Sequence, residues 1–419
     1  MDKLIINGGF KLFGDVQISG AKNAVLPIMT ATLIVPGNYK INNVPDLRDT
    51  RTMIDLLKII GANVEYSDNT LLIDTKECHN PHAPYDLVKT MRASFYVLGP
   101  LLSRFHESKV SLPGGCAWGP RPVDFHIKAL REMNVDVRLD KGDIIAKGQP
   151  KGCKIHFSKK SVGATGNILM AASRADGVTI ISNAAMEPEI VSLCHFLQKL
   201  GANIDGVGTE VLIVSPIEHE NNSFEFDIIP DRIEAGTFML AVAATGGKIN
   251  LKNVNTEHLE SIIDHLNKIN ITTNLDGNEI SITSDGEYGA IDMETLEFPG
   301  FPTDLQAQWM AVMLKAKGDC IINENIYHDR FTHISELSRM GADITLKNNI
   351  AYIKGVDEIF SAPVMCTDIR ASAGLIIAAL CSRGLTEISR IYHIDRGYDS
   401  IENSLYVTTG MGDFIMDTC

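Results

Sequence analysis

The chain has 419 residues, 45% of them apolar, and a formal net charge of −14. At about 150 residues per domain, that length predicts two or three domains with cores of ordinary size. The acidic balance excludes nucleic-acid binding by the surface as a whole, while leaving room for a local basic cleft and an anionic ligand.

The opening residues, Met1 to Gly8, lack the apolar core of a signal peptide. The longest apolar runs, such as Ala24 to Val35 with Pro27 inside, fall short of the roughly 18 residues that a membrane span needs, so no membrane insertion is expected. The eight cysteines are Cys78, Cys116, Cys153, Cys194, Cys320, Cys366, Cys381 and Cys419. They form no C-x-x-C pair, and the histidines form no H-E-x-x-H, so no metal site is expected. Free thiols in a chain of this length point to a reducing cytoplasm.

Along the chain one phrase recurs: LLKIIGANVEYSDNTLLID from Leu56, LQKLGANIDGVGTEVLIV from Leu197 and LSRMGADITLKNNIAYIK from Leu337. Weaker copies start at Leu130 and Leu266. Each reads as the end of an amphipathic helix, a turn, and two strands joined by a polar hairpin. A second phrase precedes each copy, an apolar helix rich in small residues followed by a strand, as in ATGNILMAASRADGVTIISNA from Ala164. These helices begin near 24, 93, 164, 235, 305 and 371, a period of about 70 residues. Being apolar nearly all round, they are expected to be buried, as two bundles of three wrapped by sheets. The natural division falls at Ile229-Pro230, giving one domain of residues 22–229 and a second of 230–419. The opening strand, residues 1–21, resembles the strand leading into each unit and is expected to join the second domain. The sixth copy becomes illegible from Leu405 to Cys419, where its last strand pair should lie.

Between Ser111 and Asp124 the pattern breaks into a loop with three glycines and three prolines, carrying Cys116 and, five residues on, Arg121. A nearby cation favours the reactive thiolate. Two readings stay open: a mobile lid bearing a reactive thiol, and a surface turn with an idle one. Trp118 and Trp309 read as packing residues rather than base-stacking ones.

Chemistry collects at fixed places in the repeat. The first helices open with Lys22-Asn23, Arg92, Ser161-Val162-Gly163, Asp231-Arg232, Asp304 and Asp368-Ile369-Arg370. The second helices are expected to open with Arg48, Arg121, Arg330 and Arg396 in four units, and with the acids Glu187, Glu189, Glu257 and Glu260 in the other two. Arginine is unfavourable at a helix N-terminus unless an anion sits there, so the recurrence points to an anion site between the domains. Thr303-Asp304-Leu305-Gln306 after Pro302 also matches a capping box, so capping and a catalytic carboxylate both remain open for Asp304.

Several segments together carry a resemblance: Ile18 to Ala24, Met91 to Ser94, Leu112 to Asp124, Ser161 to Thr165, Pro230 to Glu234, Phe301 to Asp304, Glu336 to Ala342, Asp368 to Ala371 and Tyr392 to Tyr398. The chain resembles the enolpyruvyl transferases, and among them those whose acceptor is UDP-N-acetylglucosamine. The resemblance implies an α/β fold of two inside-out barrels, built from six βαβαββ repeats, with the active site in the cleft between them. It implies phosphoenolpyruvate and UDP-N-acetylglucosamine as substrates and no metal or organic cofactor. By the same resemblance Cys116 is the proton donor to C3 and can carry a covalent adduct, and Asp304 is the base for the sugar hydroxyl. Lys22, Arg121 and Arg396 would hold the phosphate, and Arg330 and Arg370 the carboxylate or the site itself. Asn23 and Arg92 would contact substrate. Arg121, Pro122, Val123, Asp124 and Phe125, with Lys159, Lys160, Ser161, Val162, Asp304 and Ile326, would hold the UDP-sugar. The tail, Tyr406 to Cys419, departs from the family pattern.

Two rivals stand beside this reading. The shikimate-pathway enolpyruvyl transferase shares fold and chemistry, but the Cys116 loop and the run Arg121-Pro122-Val123-Asp124 argue against it. A sixfold repeat also builds ring-shaped sliding clamps, which need basic residues facing a central hole rather than confined to four units.

Overall fold

The computed structural model describes residues 3–112, 123–402, 404–405 and 415–417. The chain divides into two compact units, one of Met1–Ser19 with Pro230–Cys419 and one of Gly20–Ile229. Each unit holds three four-stranded sheets that share one order. A leading strand runs parallel to the strand after the buried helix, and that strand pairs antiparallel with a returning hairpin.

In the unit Gly20–Ile229 the helices Lys22–Ala31, Leu98–Phe105 and Val162–Ala172 lie within the core. In the other unit Arg232–Thr245, Gln306–Met313 and Ile369–Cys381 pack on one another. Gln306–Met313 is buried along its whole length, and Arg232–Thr245 is buried except at its last residue. No polar face is needed where water never reaches, which explains the largely apolar, mostly Ala-rich composition of these helices. Each large aliphatic side chain so buried contributes about 1.5–3 kcal/mol. The outer helices are two-faced: Arg48–Ile60 buries Met53, Ile54, Leu56, Leu57 and Ile60 and leaves Arg48 exposed.

The recurring Gly of the GAN and GAD turns has a backbone reason. Gly61, Gly201 and Gly341 end the outer helices with φ of 109°, 114° and 93°, a left-handed conformation that frees the chain to start the next strand. The two weaker copies place Asn134 and Asn270 there, at 62° and 61°, the residue type that best tolerates this region after glycine.

A second joint recurs at the end of the central strand. Asn43, Asn183 and Asn253 all take φ near 56°. Their side-chain amides donate to the carbonyls of Ile228, Phe157 and Ile18, at the ends of the neighbouring leading strands, at 2.8, 2.7 and 2.9 Å. The chain comes so close here that a Cβ on Gly20 would lie 1.8 Å from the Asn43 carbonyl oxygen.

Two sheets are closed by segments distant in sequence. Ser223–Asp227 runs parallel to Asn38–Asn42, and Leu12–Gln17 runs parallel to Gly247–Lys252. The sixth sheet takes its hairpin from both ends of the chain: Lys3–Gly8 lies between Gly384–Ser389 and Ile415–Asp417. The sixth copy is therefore illegible near its end because half of its strand pair comes from the start of the chain.

Where the chain leaves the first strands, Ser19 gives its N–H, at 2.8 Å, and its hydroxyl to the buried Glu234 carboxylate. Burial, helped by Asp231 and Asp399, pushes Glu234 up to about 8 against the opposing Ser19 bonds. From about pH 5 to 8 the folded state thus keeps a proton that the unfolded state releases, so stability falls as pH rises through this range. Glu234→Gln keeps an acceptor oxygen for Ser19 but cannot ionise. Its unfolding midpoint is expected to exceed the parent's by a margin growing from pH 5 to 8. Parallel midpoint-versus-pH curves for the two proteins would remove Glu234 as the source.

Candidate active site

In the unit of Met1–Ser19 and Pro230–Cys419, a polar cluster gathers around Asp304. Thr303–Leu305 forms a single 3₁₀ turn ahead of the helix Gln306–Met313, and no side chain caps either element. The capping-box reading of Thr303-Asp304 is therefore incorrect. The Thr303 hydroxyl donates instead to Glu324 Oε2 at 2.9 Å, and the Asp304 carboxylate turns to two guanidiniums. Arg330 Nη2 lies 2.8 Å from Oδ1 and Arg370 Nη2 lies 3.0 Å from Oδ2. The two arginine side chains are 9% and 6% exposed and the aspartate 23%, so the triad is largely shielded yet reachable. Burial pushes the Asp304 carboxyl up, but Arg370 and Arg330 together outweigh it and hold it well below the ordinary carboxylate range. Arg370 is in turn held above its ordinary range, because Asp304 outweighs its burial.

Neighbouring groups hold the triad in place. Gln308 Nε2 donates to the Asp304 carbonyl at 3.1 Å, and the Arg370 guanidinium lies 6.0 Å from the Tyr398 ring centre. The Tyr398 hydroxyl meets Thr237 Oγ1 at 2.8 Å. Asp368 is a true cap, with Oδ1 accepting from the N–H groups of Arg370 and Ala371. It thereby sets where the Arg370 side chain leaves the helix. Arg396 closes the 3₁₀ segment Ile391–Arg396 and is half-buried. The next residue, Gly397, packs so tightly that a Cβ there would sit 2.5 Å from Ile369 Cγ2. The segment bearing Arg396 is thus pressed against the start of the Arg370 helix.

The expected place of the arginines at second-helix starts needs correction. Arg48 does begin its helix but is exposed. Arg330 lies in the turn ahead of Ile334–Arg339, and Arg396 lies at the end of its 3₁₀ segment. Ion pairing with Asp304, rather than a helix dipole, accounts for Arg330.

In the unit Gly20–Ile229, Lys22 is the first residue of its helix and is buried, with Nζ 2.6 Å from Asp49 Oδ2. Asn23 beside it is half-buried. Arg92 opens the 3₁₀ segment Arg92–Val97. Val123 precedes the helix Asp124–Glu132, in which Asp124 is exposed and Phe125 packs edge-on to Phe157 at 6.4 Å. On the same helix His126 is buried, with Nδ1 3.3 Å from the Asn167 amide. Lys159 is exposed, Lys160 pairs with Glu210 at 2.7 Å, and Ser161 caps the helix that Val162 begins. Cys116, Arg121, Pro122, Trp118 and most of the tail from Tyr406 lie outside the described residues.

Sequence reasoning passed over Asp49, Tyr398 and Glu324. Asp49 follows Arg48 at a helix start, where an acid reads as ordinary dipole matching. Glu324 directly follows the strand Asp319–Asn323, where the equivalent residue of three other units is Asn. That mismatch within the repeat was the available signal. Among the described residues no helix is long and apolar enough to cross a membrane, and no group of three or more His, Cys, Asp or Glu could hold a metal.

Comparison with known proteins bears on this arrangement. The family model described as EPSP synthase (3-phosphoshikimate 1-carboxyvinyltransferase) matches residues 6–405. A UDP-N-acetylglucosamine 1-carboxyvinyltransferase of Geobacter metallireducens is 50% identical over 406 residues, covering 97% of each chain. The protein of that name from Chlorobaculum parvum is 48% identical over 409 residues, covering 97% of this chain and 96% of its own. Among solved structures, the enolpyruvyl transferase NikO of Streptomyces tendae superposes with a TM-score of 0.90 at 22% identity, over 100% of this chain and 99% of its own. EPSP synthase of Acinetobacter baumannii superposes at 0.74 with 17% identity, over 100% of both chains.

Proposed function

Since the chain belongs to the EPSP synthase family of enolpyruvyl transferases, we propose that its acceptor is UDP-N-acetylglucosamine and that Asp304, Arg330 and Arg370 form the core of its active site. It transfers the enolpyruvyl group of phosphoenolpyruvate to the 3-hydroxyl of the sugar nucleotide and releases phosphate, the first committed step of bacterial peptidoglycan synthesis. The family model carries the shikimate-type description, but the relatives that share about half of their residues with this chain carry the UDP-sugar name. The protein works in the cytoplasm.

The single observation that best supports the site is the carboxylate clamped between two shielded guanidiniums. In this reading Asp304 takes the proton of the 3-hydroxyl as its oxygen attacks C2. The Cys116 thiol gives a proton to C3, which makes C3 a methyl group. Phosphate then leaves C2 while C3 returns a proton, and the double bond is restored. An anionic substrate group that engages Arg330 and Arg370 draws their N–H groups from Asp304 and raises its basicity at the moment the base is needed. Lys22, Arg121 and Arg396 hold the phosphate, and the residues Arg121–Phe125, Lys159–Val162 and Ile326 hold the nucleotide sugar.

The test is phosphate release from phosphoenolpyruvate with UDP-N-acetylglucosamine, against shikimate 3-phosphate as rival acceptor. Turnover with the second alone would overturn the assignment. For the thiol, burial pushes Cys78 and Cys366 to about 11 and Cys194, Cys320 and Cys381 to about 12, and it raises Cys153 as well. These six are poor nucleophiles at neutral pH. That leaves Cys116 and Cys419. Of these two, an electrophile shaped like phosphoenolpyruvate is expected to label Cys116, the thiol five residues before Arg121 in sequence, as peptide mass mapping would read. Cys116→Ser should lose both label and turnover. Cys116→Asp should lose the label and keep turnover, since a carboxylic acid still donates a proton. Label on any of these six thiols, or on Cys419, would count against the assignment.

A further inference from the structure

In three units the joint after the central strand is an Asn whose amide donates to the carbonyl at the end of the leading strand. Strand register places Glu324 at the same joint of the fifth unit: Glu294 pairs with Asn323, so Thr295 faces Glu324 as Ile18 faces Asn253. The polarity is reversed there. The Glu324 side chain is fully buried and donates nothing when ionised. Its Oε1 accepts from the Thr295 hydroxyl at 2.8 Å and from the N–H groups of Ile326 and Tyr327 at 2.9 Å each. Its Oε2 accepts from the Thr303 hydroxyl at 2.9 Å.

That last bond reaches the active site. A hydroxyl has one proton, and Thr303 gives it to Glu324. The oxygen lone pairs must then face the other way, and Arg330 Nη1 donates to them at 2.9 Å. The second nitrogen of the same guanidinium holds Asp304. We propose that Glu324 is a positioning residue of the enolpyruvyl transfer: by orienting the Thr303 hydroxyl it aims Arg330, and through Arg330 the Asp304 carboxylate. An amide at this joint serves the fold in three other units, whereas a carboxylate here serves the Thr303–Arg330 arm. The inference rests on the reading of Asp304 as the base.

The experiment compares Thr303→Val, Thr303→Ser, Thr295→Val and Glu324→Gln by steady-state phosphate release, each at a temperature where circular dichroism shows it fully folded. Thr303→Val removes the acceptor for Arg330, and kcat is expected to fall by about tenfold or more, the loss typical of one hydrogen bond to a charged group. Thr303→Ser keeps the hydroxyl and should retain kcat within about twofold. Thr295→Val removes a bond to the same carboxylate without touching the arm, so it should lower the unfolding midpoint and leave kcat near the parent value. Glu324→Gln allows the amide to donate to Thr303, which turns the hydroxyl proton toward Arg330. It should match Thr303→Val in kcat and cost little more when added to that variant, because both break one chain of contacts. A purely structural Glu324 would instead give additive losses, with Thr295→Val and Thr303→Val alike. Either of these results overturns the proposal. Absence of turnover in the parent protein would instead sink the assigned reaction, so the two failures are distinguishable.

Discussion

Asp304→Asn is expected to lose turnover by 10²- to 10⁴-fold, the range of a positioned general base, while leaving the helix after it in place. The helix should survive because neither the 3₁₀ turn nor the helix after it rests on a side-chain cap, and the Asp304 oxygens hold Arg330 and Arg370. The neutral amide can still accept from one guanidinium but cannot take a proton from a hydroxyl at neutral pH. The same change removes the negative charge that competes with substrate for the two guanidiniums, so KM for phosphoenolpyruvate should hold or fall, which separates loss of a base from loss of binding. Stability responds as well. The Asp304 carboxyl is held below its ordinary range, so its stabilisation is complete above the unfolded value of about 4 and is lost as pH falls through the folded one. The parent should exceed the variant by up to about 3 kcal/mol at pH 7, less than a fully buried pair because the carboxylate is partly exposed. Denaturation at pH 7 and pH 3 should show the gap narrowing at the lower pH. A variant with near-parental kcat would return Asp304 to a purely structural role.

Lys22→Met is expected to lower kcat/KM for phosphoenolpyruvate by about 100-fold or more, as truncation of a buried charged donor does. It should also destabilise the unit Gly20–Ile229, because Asp49 is as deeply buried as Lys22 and loses the ammonium 2.6 Å away. That cost is about 3 kcal/mol. The two effects are separable. Lys22→Met with Asp49→Asn removes both charges together and should recover most of the lost stability, since a neutral amide tolerates burial better than a carboxylate without its ammonium. It should recover none of the activity if the ammonium itself meets substrate phosphate. Recovery of turnover in the double variant would show that Lys22 matters only as the partner of Asp49.

The local grammar of this chain was open to reading. Largely apolar helices rich in Ala, with no polar face, could only be buried. Gly61, Gly201 and Gly341 marked their turns because few other residues accept a left-handed backbone. Both signals depend on neighbours within a turn or two, and there the sequence pattern and the physics coincide. The strand at the start of the chain was recognisable as a strand, but its partners at Gly384–Ser389 and Ile415–Asp417 were not, because pairing depends on how the units close. The site divided in the same way. Lys22, Asp304, Arg330 and Arg370 stood out as charged residues at repeated positions or in a family-like motif. Their partnerships did not, and Thr303 shows why. Beside a helix start its pattern predicted a cap, yet Glu324, 21 residues on, takes its hydroxyl proton and Arg330, 27 residues on, takes its lone pair. A hydroxyl bonds to whichever buried charge the fold brings within 3 Å, and a buried carboxylate left without donors costs more than a missing cap. Only the packed unit decides which of those demands is met.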